Sequence, residues 1–186
     1  MKISIFSFGF FRENGSEVFA LRINKPSPNT YLLLALLIGV VLFISSSMTY
    51  QQQTSVPFLE KYLTNKPFEQ LLSGLSFQYA NETVSISQMG YFKFLEFFIR
   101  KGAHFSIYLG LGAFLAAGLS PRLNSRLLTV IVSSLSAIGY AALDEFHQML
   151  TGDRTPLFQD VVLDGLGALV GVGCVILFSL RRKKRS

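Results

Sequence analysis

Four apolar runs of 17 to 24 residues set the terms on which this chain can fold: Tyr31–Ser47, Ile99–Leu119, Leu127–Leu150 and Phe158–Leu180. About 20 helical residues, rising ~1.5 Å each, cross a hydrocarbon core ~30 Å thick. No water serves the backbone inside that core, and an unpaired amide costs several kcal/mol, so each spanning run has to be a helix. Half of the 186 residues are hydrophobic and only 15% are charged, which points to a membrane protein and away from a soluble domain. The expected fold is all-α: an integral membrane bundle of four transmembrane helices over residues 31–180, with interfacial helical segments in the 48–98 stretch that joins the first two spans.

Basic residues orient the bundle. Four spans put both termini on one side, and that side holds eleven Lys and Arg, five of them at 181–185, against six on the other. The imbalance predicts cytoplasmic termini, with 1–30 a cytoplasmic segment at the interface and 181–186 a basic tail. The formal charge of +6 then reports topology and not a nucleic-acid partner, since no stacking platform or basic groove accompanies it. The 48–98 loop and the short 151–157 turn face outward. Within the loop, 57–72 suits a short amphipathic helix, and 91–100 an interfacial helix leading into the second span, with Glu96 four residues before Arg100. Cys174, the one cysteine, lies in an apolar run with no disulfide partner and is expected to pack.

The polar side chains near the ends of these runs need a separate explanation. Lys101, His104 and Tyr108 open the second span, Asp144, Glu145, His147 and Gln148 close the third, and Asp160 and Asp164 open the fourth, with Arg154 in the turn between. Consecutive spans run in opposite directions, so residues gathered at one face must alternate between helix starts and helix ends. These do. His104, Asp144 and Asp164 lie five or six residues inside their helices, about 8–9 Å below the outer end at ~1.5 Å per residue. Lys101, His104 and Tyr108 share one helical stripe; Tyr140, Asp144, His147 and Gln148 make a second, continued inward by Ala137 and Ser133. Asp160, Asp164, Gly167 and Gly171 make a third, and its small residues allow close helix approach, which turns this face toward the bundle. Glu145, about 100° round the helix from Asp144, points into a different crevice.

A charge at membrane depth costs a few kcal/mol and faces a partner or water. Lys101 and Arg154 against Asp144, Glu145, Asp160 and Asp164 leave a formal −2, to be met by a protonated carboxyl, a protonated histidine or a bound cation, a divalent ion included. Each residue also has a structural reading. His104 can simply bond a neighbouring carboxylate, Asp160 can stabilise a helix N-terminus, His147 can face solvent or bond locally, and Arg154 can shape a turn beside Gly152 and Pro156.

Three blocks, "RKGAHFSIYLGLG" (100–112), "YAALDEFHQML" (140–150) and "GDRTPLFQDVVLDGLGALVG" (152–171), resemble in order the K-x-x-H-F-x-x-Y, D-E-x-x-Q and R-x-(several)-D-x-x-x-[DN]-x-x-G motifs of the VanZ-like family of small bacterial membrane proteins. "SSSMTYQQQ" (45–53) resembles the serine- and glutamine-bearing end of that family's first helix, and the likeness covers roughly 31–180. Carried over position by position, it implies a polar set of Lys101, His104, Tyr108, Asp144, Glu145, Gln148, Arg154, Asp160 and Asp164. Position 164 is often Asn in the family, and the extension before Tyr31 departs from its shortest members. The resemblance implies a link to resistance against the lipoglycopeptide teicoplanin, or a general envelope role, in a bacterial cell membrane. The expected ligand is a lipid-linked envelope precursor or a lipoglycopeptide, its anionic head group held by Lys101 and Arg154 while Asp144, Asp160 and Asp164 orient them or hold a cation. Two rivals stand beside it. One is a membrane-embedded acid/base or metal-dependent enzyme acting on a lipid-linked substrate, with His104, Asp144, Glu145 and Asp164 as catalytic candidates. The other is an interaction protein whose polar cluster only locks helix packing.

Overall fold

Aromatic-rich sequence before the first span, expected to lie at the interface, pairs as a β-hairpin. The computed structural model describes residues 6–13, 16–23, 26–151 and 156–183, with the backbone alone in the first two stretches and at 182–183. Strands β1 (Phe6–Glu13) and β2 (Ser16–Ile23) pair antiparallel from Phe6↔Ile23 to Glu13↔Ser16. Helix α1 (Pro28–Ser46) then starts on Ser27, whose hydroxyl accepts the Thr30 N–H at 3.2 Å, with Pro28 in the first turn where its missing N–H costs nothing.

Four helices are long and apolar enough to cross a membrane: α1, α6 (Tyr91–Leu123), α7 (Arg126–Leu150) and α8 (Phe158–Lys183). The chain is mostly helical and suited to span a bilayer four times, as its apolar runs required. The second span differs from expectation at both ends. It is one helix of 33 residues that begins at Tyr91, without a separate interfacial helix, and runs on through Pro121 to Leu123. Proline is tolerated there because only the last turn follows it, and the Arg122 guanidinium donates to the Gly118 carbonyl. At ~1.5 Å per residue α6 is ~50 Å long and outruns a ~30 Å core by several turns.

The excess length is wrapped by residues 48–89, a strap of short helices α2 (Tyr50–Gln53), α3 (Val56–Tyr62), α4 (Glu69–Leu72) and α5 (Ile86–Met89) plus a second hairpin, β3 (Ser76–Tyr79) with β4 (Glu82–Ser85). The amphipathic helix expected over 57–72 is split. Pro67 has no N–H to give, and Lys66 and Phe68 take positive φ, 42° and 63°, which breaks the helix between Tyr62 and Glu69.

Packing centres on α6 against α8. A methyl group on Gly112 would strike the Ala168 carbonyl; on Gly167, the Phe105 carbonyl; on Gly171, the Leu109 carbonyl. The small-residue stripe below Asp160 and Asp164 therefore faces the bundle, and lets two backbones approach as side chains would not. Tyr108, Leu111, Ala137, Ala141 and Ala168 form the buried core, and Ala35 and Leu42 bring α1 onto it. Cys174, expected to pack, is exposed on the outer face of α8.

Candidate functional site

Lys101, His104 and Tyr108 follow one stripe of α6, and the first two meet carboxylates of α8. The Lys101 ammonium lies 2.6 Å from Asp160 Oδ1. Tyr79, at the turn of the β3–β4 hairpin, donates its hydroxyl to the same oxygen at 2.5 Å, and its ring lies 4.9 Å from the Lys101 ammonium. Burial, then the bond to Asp160 and that carboxylate's charge, push the Tyr79 phenol pKa up, so the hydroxyl keeps the proton it donates. One turn further in, His104 Nδ1 lies 3.2 Å from Asp164 Oδ2. On α7, the Gln148 amide donates to Asp144 Oδ2 at 3.1 Å. A cavity of about 20 Å³ opens among these groups, lined by Lys101, His104, Gln148, Asp160 and Asp164 among others.

The second stripe divides between two neighbours. Asp144 and Gln148 are buried toward α6 and α8, with Ala137 and Ser133 beneath them. Tyr140 and His147 turn to α1 instead. The Tyr140 hydroxyl donates to the Gly39 carbonyl at 2.5 Å. His147, which its structural reading left to solvent or a local bond, has Nδ1 2.9 Å from Ser46 Oγ and its ring stacked on Phe43 at 4.6 Å. Glu145 does point elsewhere: its carboxylate accepts the Leu157 N–H at 2.7 Å, tying α7 to the start of α8. Arg154 lies outside the described residues.

Not every buried group is satisfied. Tyr108 Oη, Asp144 Oδ1 and Asp164 Oδ1 have no hydrogen-bond partner in the structure, nor have Ser133 Oγ and Ser134 Oγ. Among the described residues, no group of three or more His, Cys, Asp or Glu is arranged to hold a metal ion, so the divalent cation of the sequence reading finds no ready ligand set there.

Three contributors escape the sequence reading. Ser46 and Tyr79 were not singled out, although Ser46 lies in the serine-rich end of α1 and Tyr79 next to the two-residue turn at Ala80-Asn81. Glu96 does feel the charge of Arg100, its expected helical partner, but its hydrogen bonds go elsewhere. It is buried beneath the strap, accepting the Tyr50 hydroxyl at 2.6 Å, the Thr54 hydroxyl at 2.8 Å and the Ser55 N–H at 2.6 Å, while the Arg100 guanidinium stacks over the Tyr50 ring at 5.0 Å.

The family model described as VanZ/LLP1 matches residues 31–179. No curated protein and no solved structure matches the chain.

Proposed function

The chain belongs to the VanZ/LLP1 family, and from that premise we propose that its polar site binds the head group of an envelope amphiphile at the extracytoplasmic face of a bacterial membrane. Lipid-linked precursors and lipoglycopeptides are the fitting classes, and the outcome is glycopeptide (teicoplanin) resistance or envelope upkeep. One observation carries the reading: the polar cluster adjoins an apolar groove. That groove, about 470 Å³, runs along α1 from Leu32 to Phe43 and is walled by Leu111, Leu115 and Tyr140. Its volume lies within the ~300–1,000 Å³ usual for ligand sites. It ends at Phe43, on whose ring His147 stacks, so a hydrocarbon tail and a polar head have adjacent places. Lys101 is already neutralised by Asp160, so an anionic head group has to displace that carboxylate. Arg154 is the second cation of this reading, and the count of basic residues supports placing the site end outside the cytoplasm.

The test is glycopeptide susceptibility of a susceptible Gram-positive host expressing wild type, Asp144→Ala or empty vector. Protection by wild type alone is expected. Equal susceptibility in all three sinks the resistance part of the proposal.

A second reading has its own support in the His104–Asp164 pair, an imidazole held by a carboxylate, which are the parts of a general acid/base. Turnover of a lipid pyrophosphate by purified wild type, lost in His104→Gln, would favour it; no turnover retires it.

A further inference from the structure

Two hydrogen donors from separate elements meet on one atom. The Tyr79 hydroxyl, at the end of β3, lies 2.5 Å from Asp160 Oδ1, and the Lys101 ammonium of α6 lies 2.6 Å from the same oxygen. Bonds of that length to an ionised acceptor are charge-assisted and belong to the stronger class of side-chain contacts.

Both donors are also held by contacts that do not involve Asp160. The Tyr79 ring packs edge-on against Phe97 at 5.1 Å, and its strand partner is Glu82. The Lys101 ammonium lies over the Tyr79 and Phe97 rings, at 4.9 and 5.5 Å, contacts that hold a cation without neutralising it. Asp160 is carried by the first turn of α8 and needs only a change of rotamer to withdraw its carboxylate. The pair is within reach from outside, with the Lys101 and Asp160 side chains 23% and 20% exposed. The cavity of about 20 Å³ beside them has room for one water-sized group and is walled by both, with Arg100 and His104 among others. Tyr79 reaches the shared oxygen from the strap.

We propose that Tyr79 and Lys101 form a two-donor site for an anionic oxygen of the ligand, carboxylate or phosphate, and that Asp160 occupies this site as an internal competitor. An acceptor fixed on the same chain competes at a high local concentration, so only a ligand that binds the two donors more strongly displaces it. The inference rests on the anionic-head-group reading above and deepens it: Tyr79 of the strap becomes the second donor, and Asp160 sets the threshold for binding.

The test is calorimetric titration of the purified full chain in dodecyl maltoside with two probes, dihexanoyl phosphatidic acid and inorganic phosphate, at constant ionic strength. Asp160→Asn is expected to bind at least one of them roughly tenfold tighter than wild type. The gain should disappear when Tyr79→Phe or Lys101→Met is added. Glu82→Gln removes an exposed carboxylate opposite Tyr79 in the hairpin and touches neither donor, so it should bring no such gain. Tighter binding of the lipid than of phosphate identifies a head group, and equal binding identifies a free anion. No gain in Asp160→Asn, a gain that survives Tyr79→Phe, or an equal gain in Glu82→Gln overturns the site. Asp160→Ala replaces Asp160→Asn if the latter fails to fold. Wild type at millimolar probe covers the failure of both: binding lost in Lys101→Met supports the site, and binding that persists or is absent overturns it. Susceptibility is scored separately: a gain without host protection sinks only the resistance part of the amphiphile reading, and protection without a gain sinks only this site.

Discussion

Glu96 and Asp144 are both buried carboxylates on membrane-length helices, yet the fold completes one and leaves the other open. Glu96 is 2% exposed and takes hydrogen bonds from Tyr50, Thr54 and Ser55, all supplied by the strap. Asp144 accepts the Gln148 amide of its own helix and engages the Ser46 hydroxyl of α1, yet keeps one oxygen unpaired. Burying a carboxylate is unfavourable unless its lone pairs are filled. Glu96 meets that condition from within the chain and works as a tie that holds residues 50–55 on α6. Asp144 meets it with one oxygen and not with the other, and that difference separates the proposed binding site from the tie.

The largest expected effect separates the two regions by damaging one. Gly171→Ala sets a methyl group against the Leu109 carbonyl and should cost about 3–4 kcal/mol by parting α8 from α6. His104 should then lose its hold on Asp164 while the strap stays protease-resistant. Nicking of the strap together with the site would break the comparison. Glu96→Ala attacks the other region, leaving four donors on three residues without their acceptor at a cost of about 2–3 kcal/mol. Limited proteolysis should find new cleavage within 48–62 and little change in ligand binding. Tyr79→Phe removes one hydroxyl from Asp160 and should cost about 1 kcal/mol in thermal unfolding, with Lys101 still bound to the carboxylate. Smallest of all is Asp144→Asn, expected within about 0.5 kcal/mol of wild type because the amide keeps the shape of the carboxyl and an oxygen for the Gln148 amide. A loss of about 2 kcal/mol or more there would favour the packing-lock alternative over a binding site.

Much of the architecture was legible in the residues. Run length and hydropathy gave four spans, because lipid allows an isolated backbone segment no conformation but a helix. The Asp160, Asp164, Gly167, Gly171 stripe turned out to face α6, since helical period and residue size are both local facts. The strap was harder. Its break at Pro67 and its hairpin depend on backbone angles at Lys66, Phe68 and Ala80, residues with no intrinsic preference for positive φ. At the amino terminus, Asn14-Gly15 between two Phe-containing stretches is a local hairpin signal, and the flanking strands do pair.

The sequence by itself determined the number of spans, the gathering of Lys101, His104, Asp144, Asp160 and Asp164 at one end, and the face of α8 that packs closely. Each follows from periodicity or hydropathy within a single helix. Tertiary structure alone decided which acids find partners. Glu96 is satisfied by groups 41 to 46 residues away, Asp160 by Lys101 59 residues away and Tyr79 81 residues away, and His147 by Ser46 at a distance of 101. Hydrogen bonds act over about 3 Å of space whatever the separation along the chain, so no local pattern announces them. The unpaired oxygens of Tyr108, Asp144 and Asp164 belong to the same class: a vacancy in bonding is visible only once every neighbour has its place.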